Sequence, residues 1–411
     1  MAEYVYTALP DRKAAIEDLK GKIERRDYNL GVFFLTSGLM KHHRDFSKLL
    51  NCDTVCVPVE GFATRKGVWT RGGLLWLIDE EVEVEKYSGG AEKVLRAIRD
   101  SKSRKFSLIV FPALYIGSRI ETLTAMIRDR RSYSSYVRGN KLALRSMSRY
   151  LLEKHVYPIN DVLRVFRDRG EVAVALNLFP LEVAFNSPKI ALNGREIGRG
   201  LLRIGFRRFK SVKYEDTFPE RGRSLDENIE ILRSEVGLLK EVEVEFEGVA
   251  IGSISGKPAR YWLGYRQNFL RLAESGEFLG ASPQALWMFS RETNGCCGLG
   301  LMDTNTNFYP SLYNLDSFYN RMFLAYSETT KYLLSTLCDF LLNSESEVFF
   351  IDVNFLLIYE SAVASIADCL EDSFAVFDCV SLTFSTTRRY FTEIERGIFS
   401  NLTRNAAALK L

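Results

Sequence analysis

The sequence predicts an α+β fold, mixed α and β layers arranged as two modules with mostly antiparallel or mixed sheets flanked by helices, and three observations carry that expectation. Short apolar runs of strand length are interspersed with amphipathic helical stretches, without strict βαβ alternation and without a short-period repeat. Several runs alternate apolar and charged residues with the period of two that marks a half-exposed strand. The 411 residues exceed what a single core organises, about 250 to 300 residues, so two modules are expected.

In chain order, an amphipathic helix is expected over about 11–26. It is followed by a buried strand at 30–37 ("LGVFFLTS"), a short helix, and the strand "TVCVPV" at 54–59. Residues 67–87 read as a hairpin or meander. Its tail sets Val82 and Val84 against Glu81, Glu83 and Glu85, a row expected to be a solvated face rather than a metal or acid–base cluster. "KFSLIVFPALYIGS" (105–118) is a buried strand running into a helix from Arg119 to Arg130; helical stretches fill 138–169, and 171–179 is a strand. Next comes "NSPKIALNGREIGRGLLRIGF" (186–206). It reads as an extended segment, a tight Asn193–Gly194 turn of the kind that requires positive φ, and a second strand whose start carries Gly198 and Gly200.

The polar, punctuated stretch 215–227 places a boundary that gives modules at 1–214 and 215–411. In the second module, "EVEVEFEGVAIGSISG" (241–256) sets Val242, Val244 and Phe246 on one side and Glu241, Glu243, Glu245 and Glu247 on the other, again as a solvated row. Further strands are expected near 294–302, 319–326, 347–353 and 374–384, with helices near 326–343 and 358–370.

With 46% hydrophobic and 26% charged residues, the composition is that of a soluble globular protein. No apolar run reaches the roughly 18 residues that span a bilayer, and the first residues lack the apolar core of a signal peptide, so a cytoplasmic location without membrane contact is expected. The seven cysteines are odd in number and form no paired CxxC ladder, which suits free thiols. Gln267 and Gln284 are the only glutamines beside abundant Arg, Lys and Glu, the bias of a thermophile protein. Net charge is only +3, so an anionic partner must be recognised by a local patch.

Nucleotide-phosphate cradles are unsupported: there is no GxGxxG between strand and helix, and "ISGKP" lacks the first glycine and the hydroxyl of a P-loop. "GSISG" has Ile254 where a nucleophile elbow needs serine. His42 and His43 are adjacent, so on a helix they diverge by about 100 degrees and cannot share one metal; a surface role is expected for them, and His155 reads as a helix end. "GCCGLG" (295–300) admits a reactive thiol or soft-ligand site at Cys296 and Cys297, or the close packing of small residues, and packing is the expected reading.

The strongest charge signal is 126–154, where eight residues are Lys or Arg and two are acidic, with Tyr133, Tyr136 and Tyr150 interleaved. Arg138, Lys141, Arg145 and Arg149 recur at spacings of three and four, one stripe of a helix, with Arg128, Arg130 and Arg131 before them. A second basic run, Arg195, Arg199, Arg203, Arg207, Arg208, Lys210 and Lys213, lies on and after the hairpin. Together they could bind anions or a nucleic-acid backbone; the alternative is a pair of solvated faces balanced by the glutamate rows.

The hairpin "IALNGREIGRGLLRIGF" resembles the end of the N-terminal module of the FIST (F-box and intracellular signal transduction) family. "LGVFFLTSGLMKHHRDFSKLLNCDTVCVPVEGFAT" resembles that family's first strand, helix and glycine-bearing loop. "VAIGSISGKPARYWLG" resembles its C-terminal G-x-PA turn at Gly256, Pro258 and Ala259, and "FSNLTRNAAALKL" its closing strand. The resemblance implies a cytoplasmic sensory or binding protein rather than an enzyme, with an unknown small molecule or a protein as partner. It points to Glu60, Gly61 and Thr64 as ligand contacts, beside Cys296 and Cys297 from the GCCGLG stretch, and to 126–154 as a basic helical insertion. Some bacterial members bind haem; no cofactor is expected here, because the histidines do not align with a ligand position. An RNA- or ribosome-associated protein using the basic residues is the alternative, and a cysteine enzyme built on Cys296 or Cys297 a weaker one.

Overall fold

The computed structural model describes residues 3–24, 27–112, 115–156, 162, 165–166, 168–178, 189–215, 224–236, 239–262, 286–289, 296–298, 301–303, 306–310, 321–325, 337–351, 365–377, 380–383 and 406–411. The fold is mixed α and β, and among the described residues the strands form five sheets.

The first sheet runs in the order Glu3–Thr7, Gly73–Ile78, Leu30–Thr36, Asp53–Val59, Ile190–Leu192, Arg195–Ile197. Leu30–Thr36 and Asp53–Val59 are parallel, and a helical connector of Ser37–Met40, His43–Phe46 and Ser47–Leu49 joins them. Both strands are almost continuously apolar because both of their faces are covered. The second sheet orders Val380–Thr383, Val172–Leu178, Phe106–Pro112, Gly200–Phe206 and Val82–Ser88. A third orders Ser211–Glu215, Ala406–Lys410, Val348–Ile351, Phe374–Phe377, Gly61–Thr64 and Gly67–Trp69. These three sheets share one core, in which Phe34 meets Phe350 at 6.2 Å between ring centroids and Trp76 meets Phe206 at 6.2 Å and Phe374 at 6.1 Å.

The two halves of the sequence therefore exchange strands. Gly61–Thr64 pairs with Phe374–Phe377, and Val380–Thr383 pairs with Val172–Leu178. The expected hairpin or meander at 67–87 is instead three strands, Gly67–Trp69, Gly73–Ile78 and Val82–Ser88, each delivered to a different sheet. A glycine permits one of the changes of direction: at Gly72 φ is +104° and a Cβ would lie 2.0 Å from the Thr7 carbonyl oxygen.

The helix Arg12–Lys22 starts at Asp11, whose carboxylate accepts from the Ala14 N–H at 3.0 Å. The helix Arg119–Val137 is longer than expected, is capped by the Ser118 hydroxyl, and packs against Lys141–Lys154 as a helical hairpin. That hairpin rests on the strands Val244–Glu247 and Ala250–Ile254 through Tyr136, Leu144, Met147, Val249 and Ala250.

Both glutamate rows have partners. Glu85 pairs with Arg203 across the strand pair and Glu81 with Arg207 at its end, while Glu83 pairs with Arg104. A register shift between Glu245 and Phe246 breaks the alternation there, so Glu247 is turned inward and buried, pairing with Arg145. The expected helices at 326–343 and 358–370 are described over 337–343 and 365–368, and their earlier parts lie outside the described residues. So do parts of the strands expected near 294–302 and 374–384, the start of the hairpin at 186–188, and 399–405.

Candidate functional site

Two consecutive positive-φ residues make the hairpin tip, Asn193 at φ 50° and Gly194 at φ 71°. The tip is pinned to the first sheet rather than free. Thr54 N–H donates to Asn193 Oδ1 at 2.7 Å, Asn193 N–H donates to the Thr54 carbonyl at 2.8 Å, and Asn193 Nδ2 donates to Asp53 Oδ1 at 2.8 Å. Beside it runs the helical connector, and between the two lies an open groove of about 680 Å³ lined by Arg44, Ser47, Lys48, Asn51, Cys52, Asp53, Thr54, Asn193, Gly194 and Arg195.

Three cations face one carboxylate in this groove, and that carboxylate, Asp53, is engaged by Asn193. Lys48 lies 3.8 Å from Asp45, which also pairs with Arg12 at 3.2 Å. Among the described residues no carboxylate pairs with Arg44 or Arg195. Two guanidiniums, an ammonium, the Ser47 hydroxyl and the Asn51 amide suit an anionic group such as a carboxylate or phosphate. A smaller groove of about 360 Å³, lined by Arg12, Lys13, Ile16, Glu17, Lys20, Asp45, Lys48 and Leu49, adjoins through Lys48. The Cys52 thiol is pushed up by its partial burial, and the neighbouring Cys56 thiol is pushed up to about 12 by complete burial, so neither is poised as a thiolate.

The residues expected from the sequence are dispersed. Arg195 lines the groove. Arg203 does not belong to any anion-binding surface, because it is fully buried and bonded to Glu85, Glu171, Ser101, Ser107 and the Lys102 carbonyl. Arg207 is held by Glu81, and Arg199 lies near His155. Lys141 and Arg145 pair with Glu245 and Glu247, Arg128 stacks on Tyr150, and Arg130, Arg131, Arg138 and Arg149 are exposed.

Gly61 and Thr64 are buried in a strand paired on both sides; Thr64 Oγ1 accepts from the Lys66 N–H at 3.2 Å, and the Glu60 N–H donates to the Phe377 carbonyl at 3.2 Å. The structure thus commits this segment to sheet pairing. The backbone of Cys296 and Cys297 pairs with Phe289 and Met288, and their side chains lie outside the described residues.

His43 is buried rather than on the surface, with Nδ1 3.2 Å from the Met40 carbonyl; His155 is also buried, with Nδ1 3.0 Å from the Tyr115 carbonyl, and the Nε2 atom of each is enclosed without a partner. Neither lines the groove, whose polar cationic walls do not suit the apolar faces of a haem. Among the described residues no cluster of His, Cys, Asp and Glu is placed to hold a metal, and no helix is long and apolar enough to cross a membrane.

Sequence reasoning missed Arg44, Lys48, Asp53 and Thr54. A signal existed for the first two, cations four apart in the helical connector, but Asp53 and Thr54 reach the turn only through pairing over about 140 residues.

Residues 226–330 match the family described as AF0772-like protein C-terminal domain. A protein of Archaeoglobus fulgidus described as uncharacterized is 33% identical over 364 residues, which cover 86% of this chain and all of that relative.

Proposed function

The chain belongs to the AF0772-like protein family, and from that premise we propose that it is a non-catalytic binding protein of the sensory, FIST-like kind, whose groove at the Asn193–Gly194 turn takes a small anionic molecule. One observation carries the reading: Arg44 and Arg195, more than 140 residues apart in sequence, line one groove without carboxylate partners among the described residues. Guanidinium forks on one groove wall match carboxylates and phosphates bidentately. The groove's size is within the range that small ligands occupy, while its wet, polar walls favour a charged solute over an apolar one. Any signal would leave through a partner protein.

The test is calorimetric titration of the full chain with amino acids, dicarboxylates and phosphorylated small molecules. At least one class should bind, and Arg44→Ala and Arg195→Ala should each weaken it by roughly tenfold, the order of a lost charge-assisted hydrogen bond. Binding that survives the double substitution, or no binding by any of the three classes, rejects the assignment.

A further inference from the structure

The helix Arg119–Val137 is buried along Ala125, Asp129, Ser132 and Tyr136. Its opposite side is not polar throughout. Ile120 is 79% exposed, Leu123 59% and Ile127 41%, and their spacings of three and four residues form a single seam. Continued in the same register, the seam passes through Arg130 and Ser134 to Val137, which is 53% exposed. This is the a/d pattern of a coiled coil, and the flanking e and g positions hold Arg119, Thr124, Met126, Arg131, Tyr133 and, at the helix end, Arg138. None of them is acidic. Among the described residues Arg119, Arg130, Arg131 and Arg138 have no ion-pair partner.

We propose that this seam docks an acidic amphipathic helix of a protein partner, with aliphatic residues against Ile120, Leu123 and Ile127 and carboxylates against Arg119, Arg130, Arg131 and Arg138. Charge complementarity selects that occupant. A second copy of the chain offers no carboxylate at any e or g position, and in parallel register it would set Arg130 against its own copy at a d position. An anionic bilayer calls for a broad apolar face; beside this seam Met126, 41% exposed, is the one aliphatic residue at a flanking position, with Arg119, Thr124 and Arg131 around it. Single-stranded nucleic acid needs exposed aromatic faces for stacking. Here Tyr136 is buried, Tyr150 is covered by Arg128 at 4.3 Å and His155 at 5.0 Å, and the half-buried Tyr133 is a single ring rather than a run of successive faces. Four exposed aliphatic side chains at seam spacing, flanked by arginines that have no ion-pair partner among the described residues, are the surface an amphipathic helix reads.

The experiment is fluorescence anisotropy of the full chain with two labelled synthetic helices of about three heptads, both with Leu at a and d, one with Glu and the other with Lys at e and g. The acidic helix should bind in preference and lose affinity as salt is raised. Leu123→Asp with Ile127→Asp should weaken it by about tenfold or more. Arg131→Glu with Arg138→Glu should invert the preference toward the lysine helix. All four positions are exposed, and unchanged thermal midpoints will show that the variants fold; should the seam variant unfold, the arginine reversal decides alone. Equal binding of both helices, binding of neither, or indifference to the seam variant overturns the proposal. So does tighter capture by phosphatidylglycerol vesicles or by polyuridylic acid, or a dimer of the chain that the seam variant dissolves.

Discussion

Arg203 is buried without penalty from unmet donors, because each of its five N–H groups has an acceptor in reach. Nε donates to Ser107 Oγ at 2.9 Å, Nη1 to Glu85 Oε2 at 2.7 Å and Ser101 Oγ at 3.0 Å, and Nη2 to Glu171 Oε1 at 2.6 Å and the Lys102 carbonyl at 3.0 Å. Nothing in its immediate sequence distinguishes it from Arg207, which lies on the surface; the cross-strand partner decides. His155 is the opposite case, a buried imidazole with one nitrogen enclosed and unpartnered. Burial holds its pKa below the ordinary 6.5, assisted by Arg199 and Lys154 and opposed by the Tyr115 carbonyl and Glu121. As pH falls, the unfolded chain takes up this proton before the folded one does. The contribution to stability is therefore complete above 6.5 and is lost as pH drops below that value through the folded pKa. The urea midpoint should fall between about pH 7 and about pH 5, and His155→Gln should flatten that fall. A difference between wild type and variant that stays constant with pH contradicts the assignment.

At the scale of elements, the Asn193–Gly194 turn was legible because only a few residue types accept consecutive positive φ, and the sequence supplies both. What could not be read was where its second strand goes. Arg195–Ile197 stays in the first sheet, whereas Gly200–Phe206 crosses to the second, and a Cβ at Gly200 would lie 2.2 Å from the Tyr87 carbonyl oxygen. Gly194→Ala forces a Cβ into the left-handed region and should cost about 1 to 2 kcal/mol. Because the tip carries Arg195, anion affinity in the calorimetric assay should drop with it. Full affinity in a destabilised Gly194→Ala protein would separate the groove from the turn. The glutamate rows show the converse limit: period two was visible in both, but a single bulge between Glu245 and Phe246 reverses which side chain is buried, and no local pattern announces a bulge.

For the whole molecule, strand exchange between the halves should make them unfold as one cooperative unit. Phe62, fully buried, belongs by sequence to the first half, yet it lies opposite Val376 and packs against Tyr6 at 6.0 Å and Trp69 at 5.4 Å. Phe62→Ala should cost about 3 to 5 kcal/mol. Hydrogen exchange should then quicken together in Leu30–Thr36 and Phe374–Phe377, and quickening confined to one of them would show independent units.

The sequence by itself determined the mixed α and β character, the position of most strands, the tight turn and the helical, cationic character of 126–154, because each follows from periodicity or local φ preference within about ten residues; that Arg138 ends one helix while Lys141, Arg145 and Arg149 lie on the next was not read from it. Tertiary structure alone decided which strands share a sheet, which arginines are neutralised and which remain exposed, and that Arg44 and Lys48 line one groove with Arg195. Those outcomes depend on pairing between segments more than a hundred residues apart, where charge and burial are set by the neighbour a strand acquires and not by the residues beside it in the chain.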